Sequence, residues 1–502
     1  MNINRRHFLA LPGGLFLANT LGCSSFITAQ SPRRIIVAGA GLAGLSVACE
    51  LSQLGYEVIV IEGRDRVGGR ICTLKQPFTD DQYVELGGEL IGDGYKRLLS
   101  YAHKLNVGFE EVPVETSTGG NLAASREGIN TAAIFKQKLY PVNSIMAPHP
   151  YLLTGDEAKL LPPALLSKYL RQMLQEVTAN PSRMRELDPL SLAGALRQFG
   201  VSETAISLMN ISLNYNSIET VSAASPLLDA QRRASAGTKV CRITGGNTEL
   251  VTAMAEQAAK QGVKFILQAN IRKISYTPNA VKISFRDNSG RINGINGINA
   301  IDTIDTIEAA KLVCTIPFSV LREVEFSPPL PPAKMKAVNE LAYTSITKIY
   351  FQGSRVEWDR RNLGSSIWTD TPLERIFTAA GKRGDARGIF TAWMDGEGSN
   401  IADQMSDEKR QRWAKNEFEK ALPFMQDAIA STHTKSWAND KFARGAYAHF
   451  TRGQFTTLQP VLKTVVGPIH FAGEHTAEKS PGMEGALESA ERVVAEVLSA
   501  SL

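Results

Sequence analysis

The sequence predicts an α/β fold: a Rossmann-type nucleotide-binding unit, an interleaved α+β domain and a helical insert. Three observations carry this. A complete GxGxxG turn, Gly39-Ala40-Gly41-Leu42-Ala43-Gly44, stands between an apolar run from Ile35 to Ala38 and a helical stretch. Buried-type strands return much later, at Leu312 to Ile316 and again just before Gly473. Residues 155–235 are helical in pattern, with stops at Pro162-Pro163, Pro181 and Pro189.

The first unit reads as strand, turn, helix, strand and acid. A short, wholly apolar run suits a strand covered on both faces. Gly39 allows the sharp turn, Gly41 the close approach of a pyrophosphate, and Gly44 tight packing of helix on strand. The helix then aims unpaired N–H groups and its positive dipole end at phosphate. Val58 to Ile61 forms the second strand and ends at Glu62. A carboxylate there accepts the two hydroxyls of a ribose and repels a 2′-phosphate. A lone GxGxxG is weak evidence, but strand, helix, second strand and acid in that order make a mere turn a poor alternative. This stretch alone leaves NAD and FAD both open.

With 502 residues, two or more domains and an ample core are expected. A net charge of +5 without a long basic block argues against a nucleic-acid partner. Cys23, Cys49, Cys72, Cys241 and Cys314 show no metal-ligand spacing and no disulfide framework, so no metal site is expected. The N-terminus differs from the rest. Arg5-Arg6-His7-Phe8-Leu9 precedes a weakly apolar run broken by Pro12, Gly13 and Gly14, too short to cross a membrane. Residues 1–30 resemble a twin-arginine export signal, which implies a periplasmic or equivalent extracytoplasmic location. Thr20-Leu21-Gly22-Cys23 is similar to a lipoprotein box, although Thr20 stands where Leu is usual. Lipid attachment and peripheral membrane association therefore stay open.

The continuation past Glu62 separates the two cofactors. Arg66-Val67-Gly68-Gly69-Arg70 resembles the FAD-binding region of the flavin amine oxidase family, which includes monoamine, polyamine and L-amino-acid oxidases. Glu85-Leu86-Gly87-Gly88 resembles the family segment that flanks the isoalloxazine ring. Val263, at the start of a short strand, is the family-based choice for the adenine contact. Leu312 to Pro317 is similar to the family strand that leaves the flavin domain. Lys348 lies in the apolar run TSITKIYFQ, where spacing alone would place it on a solvated face. The resemblance instead implies an ammonium that holds a water against flavin N5.

Trp437 to Tyr447 resembles the active-site wall of the family, with Tyr447 as one side of its aromatic cage. Monoamine oxidases have a flavin-bonding cysteine where Ala446 stands, so FAD is expected to be non-covalent. Gly473-Glu474, and Met483 in the MEGA run, match the last motif. Glu474 would bond the ribityl chain, and the helix near Met483 would face the flavin N1/C2 carbonyl. Gly482 replaces the second aromatic wall of the cage and leaves room for a longer or more polar substrate.

Outside the motifs, Tyr95 to Leu105, Glu249 to Gln261 and 403–420 read as helices, and from Val112 strand character is lost. Asp188-Pro189 reads as an N-cap with proline at the first helical position. Isoleucine recurs every third residue from Ile292 to Ile307, which fits neither a strand nor a helix. A lengthened hairpin connection is the expected reading.

The resulting organisation has a FAD-binding domain of residues 31–110, 240–325 and 436–502, with a substrate domain of 111–239 and 326–435. The resemblance implies hydride transfer from a C–NH2 carbon to flavin N5, with Lys348 and Tyr447 at the catalytic centre. The expected substrate is an L-amino acid; an amine or polyamine is the alternative. A flavin-binding assembly protein without turnover is a third reading. Oxygen and a quinone are both compatible acceptors. Arg97 and Arg444 are the candidates for a substrate carboxylate by proximity to motifs, although each also reads as a structural residue. The oligomeric state is not indicated by the sequence.

Overall fold

The structure is a computed structural model that describes residues 34–111, 132–141, 148–287, 304–380 and 384–499. The export-signal segment and Cys23 lie outside the described residues.

A five-stranded parallel sheet is the base of the nucleotide-binding unit. Its order is Lys264–Ile266, Glu57–Ile61, Arg34–Ala38, Lys311–Cys314 and Ile469–Phe471. The central strand Arg34–Ala38 is buried at all five positions, which accounts for its unbroken apolar run. Ile35 and Val37 face one layer, of helices Leu42–Gln53, Thr248–Lys260 and Gly482–Ser499. Ile36 and Ala38 face the other, a sheet containing Ala269–Thr277 and Ala280–Asp287. Each fully buried Ile or Val on these faces contributes roughly 1.5–3 kcal/mol. The sheet thus draws strands from both ends and the middle of the chain.

The second unit is a seven-stranded mixed sheet. Its order is Ile429–Ser436, Ile346–Ser354, Arg387–Asp395, Arg375–Ala380, Ser366–Thr369, Ala132–Phe135 and Lys138–Pro141. The last two strands correct the expectation that strand character ends at Val112. They form a hairpin, and residues 132–135 are all buried against the sheet. Helices Pro162–Ala179, Leu192–Gln198, Glu203–Asn210 and Ala224–Ala234 enclose an apolar core of their own beside this sheet.

One local reading changes, and another gains detail. Asp188 does not cap the helix that follows it; Ser191 does, accepting from Gly194 N at 3.0 Å. The fully buried Asp188 carboxylate instead accepts from Phe455 N, Thr456 N, Thr456 Oγ1 and Ser222 Oγ. It therefore caps the distant helix Gln454–Leu462, whose preceding residue, Gly453, offers no side chain. The end of the isoleucine repeat is strand Ile304–Ala309, antiparallel to Ala280–Asp287 with Ile283 opposite Ile307. Residues 288–303 lie outside the described residues.

Candidate active site

A cavity of about 430 Å³ extends from the glycine turn to the face of the seven-stranded sheet. At its first end, Gly39 has φ +107°, and a Cβ there would lie 2.5 Å from Thr315 Oγ1. Gly41 is the N-cap of helix Leu42–Gln53, which has no side-chain cap and no acid in its first turn. The helix N–H groups are thus left for an anion in the cavity. Gly44 does not line the cavity; a Cβ on it would lie 2.0 Å from Gly39 O. It is a packing glycine, as its place in the motif predicts.

Glu62 is buried beside this turn and accepts from Ala40 N at 2.7 Å and Arg64 N at 2.8 Å. Burial pushes its carboxyl up, and the two N–H bonds oppose that rise. Val263 is not part of this end. It packs in the helix-side core, while Ala269, Asn270 and Ile271 line the cavity next to Glu62. The cause is the left-handed turn at Gln268 (φ +61°), which donates its N–H to Arg64 O and brings Ala269 N onto Glu62 O.

The second glycine turn closes over the first. The Arg66 guanidinium donates to the carbonyls of Val67, Gly69 and Ile71 and so holds the turn's shape. Gly69 has φ +58°, and a Cβ there would come within 3.2 Å of Gly41 Cα. Arg70 Nη1 donates to Glu474 Oε1 at 2.8 Å and to Ala446 O at 2.7 Å. Gly87 must be small, and Gly88 is packed closely against a methionine side chain. Their Cβ atoms would meet Arg70 O at 1.7 Å and Met483 Sδ at 3.0 Å. Trp437 Nε1 donates to Leu86 O at 2.8 Å and fixes this segment from outside.

Lys348 is 1% exposed despite its charge. Its ammonium donates to Glu85 O at 3.1 Å and Gly87 O at 3.2 Å, and lies 4.4 Å from the Trp393 ring centroid. Strand register sets up this geometry. Lys348 and Arg375 both pair with Trp393, so the three residues form one row across adjacent strands. Arg375 is buried, donates to Asn214 Oδ1 at 2.7 Å and pairs with Asp395 Oδ2 at 3.3 Å. Its Nε and Trp393 Nε1 are buried without hydrogen-bond partners. Tyr447 lines the cavity and donates to Asn214 O at 2.8 Å. Phe377 adds a further aromatic wall, 6.4 Å from Trp393.

The cavity therefore gathers Gly39, Gly41, Glu62, Gly69, Arg70, Gly87, Gly88, Lys348, Trp437, Tyr447, Gly473, Glu474 and Met483. It does not include Arg97, which pairs with Glu484 and Glu491, or Arg444, which pairs with Glu323. The residues that sequence reasoning missed are Glu89, Asn270, Arg375, Phe377 and Trp393. Glu89 adjoins a recognised glycine pair and could have been found. Asn270 depends on the turn at Gln268, and Arg375, Phe377 and Trp393 depend on register between strands.

These features fit a flavin dinucleotide. The uncapped helix end suits a pyrophosphate, Glu62 suits a ribose, and two glycine pairs keep the channel clear. Among the described residues lining the cavity there is no cysteine or histidine. Among all described residues, no group of three His, Cys, Asp or Glu could hold a metal ion. Nor is any helix there long and apolar enough to cross a membrane.

Comparison with known proteins agrees with this geometry. The family model described as flavin containing amine oxidoreductase matches residues 42–498. YobN of Bacillus subtilis (strain 168), a protein assigned as an L-amino-acid oxidase, is 28% identical over 488 residues, covering 93% of this chain and 95% of YobN. The L-amino-acid oxidase of Pseudechis australis is 24% identical over 477 residues, covering 92% of this chain and 86% of its own. Among solved structures, putrescine oxidase bound to putrescine superimposes with a TM-score of 0.71 at 21% identity, covering 93% of this chain and 99% of its own. Cyclohexylamine oxidase from Brevibacterium oxydans gives 0.71 at 17% identity, with the same coverage.

Proposed function

The chain belongs to the flavin containing amine oxidoreductase family, and from that premise we propose that it binds FAD non-covalently and oxidises the C–NH2 group of an L-amino acid. One observation carries the reading. A single cavity joins the dinucleotide motifs to Lys348, Tyr447, Trp393 and Arg375.

Gly39, Gly41, Glu62, Arg70 and Glu474 would hold the cofactor, and Ala446 offers no atom for a covalent link. When bound, the flavin supplies the acceptor for the two electrons and the hydrogen leaving the carbon that bears nitrogen. The chain supplies position and field. The helix Gly482–Ser499 begins at the cavity wall, where its positive end favours negative charge. The ammonium of Lys348, held by two carbonyls, orients a water or a polar substrate atom. Tyr447, Trp393 and Phe377 present aromatic faces that exclude bulk water. Arg375, with its buried Nε and its place beside Trp393, is the group we assign to the substrate carboxylate. The imine product would hydrolyse in water to a carbonyl compound and ammonia.

A second reading, oxidation of a simple amine or polyamine, is favoured by Glu89. This carboxylate lines the same cavity and could pair with a cationic substrate group. Arg375→Lys separates the two readings. For an L-amino acid oxidase, it raises KM for the amino acid at least roughly tenfold, the value of one charge-assisted bond. KM for the decarboxylated amine should hardly move. Release of intact FAD on heat denaturation tests the non-covalent link. Peroxide formation in air, set against reduction of a quinone analogue, identifies the acceptor. We also propose that residues 1–30 direct twin-arginine export, for which the test is the location of a chain with Arg5 and Arg6 changed to Lys.

A further inference from the structure

The chain that leaves helix Glu203–Asn210 does not run over the surface: Ser212, Leu213 and Tyr215 are buried. Ser212 (φ +57°) and Asn214 (φ +68°) are both left-handed. Asparagine tolerates that backbone better than most side chains do. Asn214 does not line the cavity, whereas Arg375 and Tyr447 do. It nevertheless bonds to both. Its carbonyl oxygen accepts from the Tyr447 hydroxyl at 2.8 Å, and its Oδ1 accepts from Arg375 Nη2 at 2.7 Å. Its backbone N–H donates to Asp395 Oδ2 at 2.8 Å, and Arg375 Nη2 reaches the same oxygen at 3.3 Å. Asn214, Arg375 and Asp395 thus close a ring of hydrogen bonds.

Asn216 pins the same segment to the sheet. Its Nδ2 donates to Tyr343 O at 2.9 Å, and its Oδ1 accepts from Ser345 N at 2.8 Å. Those residues lead into strand Ile346–Ser354, which carries Lys348. A guanidinium on a long side chain has many rotamers, and ordering it only when substrate binds would cost affinity. A fixed acceptor removes that cost in advance. The amide of Asn214 also carries no charge. It orients the guanidinium through a charge-assisted bond without adding a second carboxylate to that of Asp395.

We propose that Asn214 is a positioning residue that fixes Arg375 relative to Tyr447, so that a substrate carboxylate meets a guanidinium already in place. This rests on the assignment of Arg375 to the carboxylate made above. The side chain and the backbone of Asn214 have separate tasks. Oδ1 aims the guanidinium, and the left-handed backbone presents the carbonyl to Tyr447. Asn214→Gly separates the two, because glycine keeps a left-handed backbone at no steric cost and loses only Oδ1.

The test compares wild type, Asn214→Gly and Asn214→Asp as flavin-loaded enzymes. The probes are phenylacetate and phenylacetamide, which share a shape and differ in charge. Their binding is read from the perturbation of the visible flavin spectrum. Wild type should bind phenylacetate the more tightly. Asn214→Gly should raise Kd for phenylacetate roughly tenfold, the value of one charge-assisted bond, and leave Kd for phenylacetamide unchanged. KM for an L-amino acid that reduces the wild-type flavin should rise by the same factor with little change in kcat. Asn214→Asp keeps an acceptor but adds a charge that competes for the guanidinium, so it should also weaken phenylacetate alone. It serves if the Gly variant does not retain flavin. A Gly variant, or failing that an Asp variant, that binds phenylacetate within about threefold of wild type overturns the proposal. Equal weakening of both probes, or loss of flavin from both variants, marks a merely structural role and overturns it too. Failure of phenylacetate to bind wild type more tightly than phenylacetamide would instead overturn the carboxylate assignment to Arg375 and remove this proposal with it.

Discussion

Arg70 Nη1 lies 2.8 Å from Glu474 Oε1, joining the second glycine turn to the last motif of the chain across 404 residues. The pair is part-buried, with side chains 23% and 16% exposed. Its energetic weight falls between that of surface and buried ion pairs. Glu474→Ala should lower stability by roughly 2 kcal/mol and leave the Arg70 guanidinium without its anion at the cavity wall. A fall in Tm with a parallel loss of bound flavin is the expected outcome.

At Gly44 a single methyl group should disrupt the packing of helix on strand. A Cβ would sit 2.0 Å from Gly39 O, so Gly44→Ala must push helix Leu42–Gln53 away from the turn. The purified variant should show a several-fold lower ratio of visible flavin absorbance to protein absorbance. Gly453→Ala, with open space at its Cβ but φ +76°, should cost about 1 kcal/mol of stability and leave that ratio unchanged.

Much of the nucleotide end was legible because it is local. Gly39, Gly41, Gly44 and Glu62 fall within one strand–turn–helix–strand unit, and each has a backbone reason readable in order. The substrate end was less legible. Trp393 and Arg375 face Lys348 only because three antiparallel strands align in register, and no local pattern encodes that alignment. Asp188 was misread for a related cause. Asp-Pro is a helix-start signal, but tertiary structure assigns the carboxylate to Phe455 N and Thr456 N instead. Val263 gave way to residues 269–271 because one left-handed residue, Gln268, turns the chain back toward Glu62.

Acid stability should report on Asp440. Burial raises its carboxyl, but bonds from Arg64 and Lys435 outweigh that and hold it well below the usual carboxylate range. A carboxyl depressed by folding contributes stability that is whole above its unfolded value, 3.8, and is lost as pH falls toward the folded value. Below pH 4, wild type should therefore lose Tm more steeply than Asp440→Asn. At pH 7 the Asn variant should be the less stable of the two. Because Arg64 lines the cavity, flavin release should accompany the acid transition.

Glu85 has the opposite sign. Burial raises its carboxyl from 4.5 to about 7, so its favourable contribution is whole below 4.5 and is lost as pH rises through 7. The window corresponds to roughly 3 kcal/mol. Glu85→Gln keeps the shape and should flatten the decline in stability between pH 5 and 7.

Lys348→Met keeps the length of the side chain and removes the ammonium held by Glu85 O and Gly87 O. Flavin should remain bound, since neither carbonyl contacts it through the lysine. Turnover should fall roughly 10²-fold, the size expected when one preorganised donor is removed. Stopped-flow measurement of the reductive and oxidative halves would show which half carries the loss.

Anaerobic bleaching of the bound flavin tests the central claim most directly. The panel pairs basic, acidic and aromatic L-amino acids with their decarboxylated amines, and adds putrescine and spermidine. The account predicts bleaching by at least one L-amino acid and little or none by the matching amine. Bleaching by the amines alone would contradict the carboxylate assignment to Arg375, and a flavin that none of them bleaches would contradict amine oxidation itself.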